Sequence, residues 1–226
     1  MLKLLIIFDL DDTLVKTTES IIPSKLDMSF KKSLSTSPAL LPQLMRLDSM
    51  ALSSDAAIDE FGEINELDQG VICDIKTHMQ DGDLEGIDVE CSESANEVLK
   101  ILSQDHNLCL VSRGLDSNQR AKIKKSGIET AYFSEIIFCQ KDKCADYEML
   151  AKKYSDHPLD VIVCGDRVAL DLSPAKALGY HTVQMCQGRG STSFDYFADV
   201  DVKIIQLVEL FDIILNIERK KFLRKL

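Results

Sequence analysis

Leu4-Leu5-Ile6-Ile7-Phe8-Asp9-Leu10-Asp11-Asp12-Thr13-Leu14 is the stretch that decides how this chain folds. Five consecutive apolar residues lead into three carboxylates spread over four positions. A short apolar run closed by a polar break reads as a buried parallel strand. Open α/β sheets place their ligand crevice just beyond the ends of such strands. Side chains alternate along an extended chain, so Asp9 and Asp11 fall on one side and Leu10 on the other. Two carboxylates held that close repel unless a cation sits between them or one takes a proton. The stretch therefore suggests a hard-metal site at a strand end, with one carboxylate free to attack and another to move protons. The plainer alternative is a turn in which Asp12 or Thr13 caps a helix beginning near Leu14.

Working outward, 226 residues suit one large domain or one domain with an inserted module. Apolar content of 45% against 28% charged residues supplies enough material for a packed core. The apolar start at residues 2–8 is too short for a signal-peptide core and acids follow at once. The stretch from Val202 to Ile217 is interrupted by Lys203, Gln206, Glu209 and Asp212, which argues against a membrane span. Seven cysteines, an odd number with no Cys-x-x-Cys, point to free thiols in a reducing cytosol. The net charge of −11 is concentrated: residues 16–94 hold 6 Lys/Arg against 16 Asp/Glu. Such a surface repels nucleic acid and anionic membrane, so neither is an expected partner.

After the first strand the pattern becomes helical, with helices expected near 24–35, 40–52, 55–67 and 70–79, then a loop at 80–90. An α/β alternation resumes at residue 92. Strands are expected at 107–111, 136–139, 161–164 and 181–185. Helices are expected at 94–102, 117–126, 144–154 and 171–178, with a last one over 202–223. Alternation of this kind implies a doubly wound parallel sheet. Residues 1–15 and 92–226 would form that α/β core, and residues 16–91 an inserted helical module.

Three more strand ends carry groups suited to anionic oxygens. The second strand ends in Ser112-Arg113-Gly114, where a hydroxyl, backbone N–H groups and a tight turn at glycine could hold an anion. Lys141 and Lys143 follow the third strand, and either could reach the crevice or lie on the surface. The fourth ends in Gly165-Asp166, with Asp171 five residues on; each acid could equally cap a turn or a helix.

In that order the segments FDLDDTLV (8–15), LVSRG (110–114) and VCGDRVALDLSPAKALG (163–179) resemble the motifs of the haloacid dehalogenase superfamily, whose members are mostly magnesium-dependent phosphatases. The resemblance covers residues 1–15 and 92–200. It implies a Rossmann-like core with a cap domain at residues 16–91. It also implies that Asp9 takes the phosphoryl group as an aspartyl-phosphate, while Asp11 protonates the leaving oxygen and then deprotonates water. Mg²⁺ would be held by Asp9, the Asp11 backbone carbonyl and Asp166, with Asp171 in support. Ser112, Arg113, Gly114 and a lysine would hold the phosphoryl oxygens; spacing favours Lys141, with Lys143 the alternative. The substrate implied is a small phosphorylated metabolite. Asp11 counts against the dehalogenase branch, which does not need a second acid. A phosphomutase of the same fold, or an idle core used for binding, are the other readings.

Overall fold

The computed structural model describes residues 3–34, 38–51, 53–191 and 197–223. Among these, six strands form one parallel sheet: β1 (Leu5–Phe8), β2 (Asn107–Arg113), β3 (Glu135–Cys139), β4 (Val161–Gly165), β5 (His181–Met185) and β6 (Val202–Ile204). Their spatial order is β3-β2-β1-β4-β5-β6, the doubly wound arrangement expected. The order reverses between β1 and β4, which is where such sheets leave a crevice. Registers pair Phe8 with Leu110 on one side and with Cys164 on the other. Asp9, Ser112 and Asp166 therefore emerge along a single sheet edge.

Alternation in β1 explains the two layers. Leu4, Ile6 and Phe8 pack on one face with Val98, Leu99 and Leu102 of α5 (Ala95–Leu102) and Ile123 of α6 (Asp116–Ser126). Leu5 and Ile7 pack on the other with Tyr147 and Leu150 of α7 (Cys144–Tyr154) and Ala175 of α8 (Ser173–Ala177). Every residue of β1 is fully buried, as a strand covered on both faces must be.

Helices α1 (Ile22–Ser33), α2 (Leu41–Met50), α3 (Ser54–Ile64) and α4 (Gln69–Gln80) have an apolar cluster of their own. Leu26, Phe30, Leu44, Ile58, Phe61, Ile72 and Ile75 meet there. The chain leaves the sheet and returns to it at adjacent points. Lys16 N donates to Glu90 O (2.9 Å), and Ser92 N to Leu14 O (2.8 Å). Residues 35 and 52, where two of the expected helices end, lie outside the described residues, as do Arg224 and Lys225.

The C-terminal segment departs from expectation. Instead of one helix over 202–223, Val202–Ile204 pairs with β5 as the sixth strand, and α9 covers Leu210–Leu223. Glu209 accepts from the Ile205 and Gln206 amides (2.8 Å each), a cap that stops the helix from running back into the strand. Gly188–Ser191 forms a short 3-10 turn beside the carboxylates. Among the described residues, no helix is long and apolar enough to cross a membrane.

Candidate active site

Asp9 sits one residue past β1, its N–H donating to Cys164 O (2.9 Å), and the residue is 7% exposed. Lys143 Nζ donates to Asp9 Oδ1 (2.5 Å) and to Asp171 Oδ1 (2.6 Å) from a position 2% exposed. Asp171 Oδ2 accepts from the Arg167 amide (2.9 Å), so both its oxygens are taken. Asp166 differs. Its side chain is buried, and no hydrogen bond or ion pair reaches its carboxylate among the described residues. Oxygens of Asp9, Asp166 and Asp171 lie within 4.8 Å of one another.

Three buried carboxylates facing one ammonium leave a deficit of positive charge. Burial pushes the Asp9 carboxyl up to about 7, with Asp171 and Asp11 adding to the rise and Lys143 opposing it. Asp166 is driven well above the usual carboxylate range by burial, then by Asp171, Asp9 and Asp12. An all-oxygen donor set with uncompensated negative charge suits a hard divalent cation such as Mg²⁺.

Lys141, favoured by spacing, is exposed and does not line the crevice; Lys143 does. The reason is local. Asp142 Oδ1 accepts from Cys144 N (3.1 Å), turning the chain into α7. That turn leaves Lys141 outside and sets Lys143 at the helix start, facing β1. At the motif's other end, Gly165 must be glycine, since a Cβ there would lie 2.6 Å from the Asp171 Cβ.

Asp11 belongs to a different set of contacts, and its side chain is not among the three that converge. Lys122 Nζ donates to both its oxygens (2.7 and 2.9 Å), Gln119 Nε2 donates to Oδ2 (3.1 Å), and Thr17 Oγ1 also donates to it. Burial pushes this carboxyl up, but Lys122, Thr17 and Gln119 together outweigh it and hold it below its ordinary value. Gln119 Nε2 also donates to the buried Ser112 Oγ (2.7 Å), tying Ser112 to Asp11. The Gly114 N–H donates to Cys139 O (2.9 Å), so the sheet uses the donor expected to face an anion. Arg113 lines the crevice.

Thr17, Gln119, Lys122 and Arg189 escaped the sequence reading. Asp12, at φ 53°, accepts from Thr18 N (2.8 Å), Thr18 Oγ1 (2.5 Å) and Arg189 N (3.4 Å). Arg189 then crosses to the helical module, where Nη2 donates to Asp48 Oδ2 (2.7 Å) and Ser54 Oγ (2.9 Å). The crevice enclosed has a volume of about 200 Å³.

Residues 6–185 match the family model for haloacid dehalogenase-like hydrolases. The chain belongs to that family. No curated protein matches it. Among solved structures it is similar to a predicted phosphoglycolate phosphatase from Haemophilus somnus 129PT, at TM-score 0.72 and 18% identity, covering 93% of this chain and 97% of that one. It is similar to YfnB from Bacillus subtilis, solved bound to magnesium, at TM-score 0.66 and 13% identity over 94% and 99%. A 2-haloacid dehalogenase from Pseudomonas syringae pv. tomato is similar at TM-score 0.57 and 18% identity over 96% and 99%. At these identities the likenesses establish the haloacid dehalogenase-like fold, and phosphatases and dehalogenases share it.

Proposed function

We propose that this hydrolase is a Mg²⁺-dependent phosphatase that hydrolyses a small phosphorylated metabolite through an aspartyl-phosphate on Asp9. The observation that carries this reading is the buried Asp166 carboxylate, which has no donor among the described residues, beside Asp9 and Asp171 in a crevice where the Lys143 ammonium is buried. Asp9 and Asp166 would hold the cation, which supplies charge compensation for the phosphoryl oxygens. Asp171 fixes Lys143. Lys143 bonds to Asp9 and would neutralise a phosphoryl oxygen, and Ser112, oriented by Gln119, would donate to another.

Asp9 Oδ attacks phosphorus and the bond to the leaving oxygen breaks; Asp11, ionised at rest beside Lys122, first takes up a proton from solvent and passes it to that oxygen. Asp11, now ionised, takes a proton from water, whose oxygen attacks the same phosphorus and frees Asp9 and inorganic phosphate. Residues 16–91 would act as the cap over this crevice, joined to the core through Arg189 and Asp48. The acidic surface disfavours nucleic acid or membrane as partners, and seven unpaired thiols suit a reducing cytoplasm.

The test is phosphate release from a panel of phosphomonoesters with and without Mg²⁺, using Asp9→Asn as the control. Release that requires both the metal and Asp9 is expected. Phosphoryl exchange between substrate positions without net release would replace the phosphatase by a mutase. Neither turnover nor Mg²⁺ binding in calorimetry would leave a binding core.

A further inference from the structure

A second cavity of about 300 Å³ adjoins the reactive crevice on the Asp11 side. Thr17, Ile22, Arg113 and Lys122 line both spaces, so the two are neighbours that share these side chains. Ile21, Met79 and Leu84, all before residue 92, supply apolar wall, and Leu115 closes it from the core. Three cations reach the cavity. The Lys25 ammonium is committed to Asp81, and that of Lys122 to both oxygens of Asp11. Arg113 has no acceptor for its guanidinium among the described residues.

We infer that the leaving group of the substrate carries a second oxyanion, a carboxylate or a phosphate, and that Arg113 receives it. The inference rests on the phosphatase reading, since it takes the phosphoryl end to be the one held at Lys143. An exposed arginine is ordinarily a solvated surface group. Arg113 departs from that case because it immediately follows Ser112 in β2 and lines both cavities. Its planar fork matches a carboxylate or phosphate bidentately, while the apolar walls take the carbon skeleton between the two anionic ends. The volume lies at the bottom of the range of roughly 300–1,000 Å³ usual for ligand pockets, so the skeleton is short. Most of the −11 charge lies in the segment flanking this cavity. An uncompensated guanidinium there offsets the repulsion that a doubly anionic substrate would meet.

Calorimetry on the full chain with Mg²⁺ tests this with three probes: 3-phosphonopropionate, propane-1,3-diphosphonate and propylphosphonate. At least one of the first two is expected to bind ~10–100-fold more tightly than propylphosphonate. Arg113→Ala should bring the affinities together, and Arg113→Lys should restore part of the difference. The tighter of the two probes that carry an anionic group at each end identifies the oxyanion. Equal affinities in the unaltered protein, a preference that survives Arg113→Ala, or binding of no probe overturns the inference. Phosphate release from the corresponding esters separates the two readings. Probe preference without any release breaks the phosphatase reading alone, whereas release without preference breaks the inference alone.

Discussion

Asp9 and Asp11 are separated by a single residue, yet the two sides of the crevice treat them in opposite ways. On the Asp9 side, three buried carboxylates share Lys143, and the shortage of positive charge raises Asp9 and Asp166. On the Asp11 side, one carboxylate has a lysine to itself and neutral donors from Thr17 and Gln119, and it is held below its ordinary value. Residue type is therefore a poor guide to behaviour here; the local count of charges and donors decides it. One side calls for a cation, and the other already has one.

The largest effect that would break this contrast is removal of the shared ammonium. Lys143→Met leaves Asp9 and Asp171 buried without their partner, and loss of one member of a buried pair costs about 3–5 kcal/mol. Phosphate release should fall by ~10²–10³-fold, the usual consequence of losing one preorganised donor to a developing charge. Lys141→Met should change stability by no more than ~0.5 kcal/mol, as for an ordinary surface substitution. Urea unfolding and initial rates on the pair measure both. Comparable losses in the two variants would place the phosphoryl-binding lysine wrongly.

A second, smaller effect is the pH dependence of the metal-free protein. Asp9 is raised to about 7 from 3.8, so between those values the folded chain holds a proton that the unfolded chain has released. The contribution of Asp9 to stability then falls as pH rises from about 4 to about 7, by up to ~4 kcal/mol at 1.36 kcal/mol per unit, and is flat above, while Asp11, held below its ordinary value, contributes in the opposite sense at the acid end. Asp166 shifts in the same direction as Asp9. Mg²⁺ favours the ionised carboxylates, so at 100-fold its dissociation constant it should add about 2.7 kcal/mol near neutral pH and less in acid. Thermal melts from pH 4 to 8, with and without Mg²⁺, measure this. If Asp9→Asn leaves the pH profile of the metal-free protein unchanged, the Asp9 side carries no excess of negative charge.

How much of this could be seen in the sequence depended on how local the cause was. The strand at Leu5–Phe8 and the acids after it were legible because burial on both faces forces an unbroken apolar run. The choice between Lys141 and Lys143 was not, because it turns on one Asp142 side chain bonding to Cys144 N. Helix Asp116–Ser126 is so polar that its inward face is marked by little more than Ile123. Gln119, four residues before Ile123, lies on that same face, a signal that was available and unused. The strand Val202–Ile204 was hidden because Ile204, Leu207, Phe211 and Ile214 also fit a helical period, and only the Gln206–Glu209 cap separates the two elements. The Arg189–Asp48 pair joins positions 141 residues apart, and no local pattern announces a contact of that range.

The smallest effect sharpens the contrast from the Asp11 side. Lys122 is the first cause opposing the burial of Asp11, through its charge and then through its hydrogen bonds. Replacing it by methionine keeps the aliphatic stem but withdraws the charge, so the Asp11 carboxyl must rise. The fold should tolerate this, because Gln119 and Thr17 still donate to Asp11. The loss in rate should stay near ~10-fold, below that of Lys143→Met, since proton transfer by a positioned side chain is weakened without being removed. The distinguishing readout is the pH profile of kcat/KM. If Asp11 moves the proton, the limb it controls shifts to higher pH in Lys122→Met while the metal requirement stays unchanged. If both carboxylates instead belonged to one cation-binding set, Lys122→Met would tighten Mg²⁺ binding and leave that limb in place.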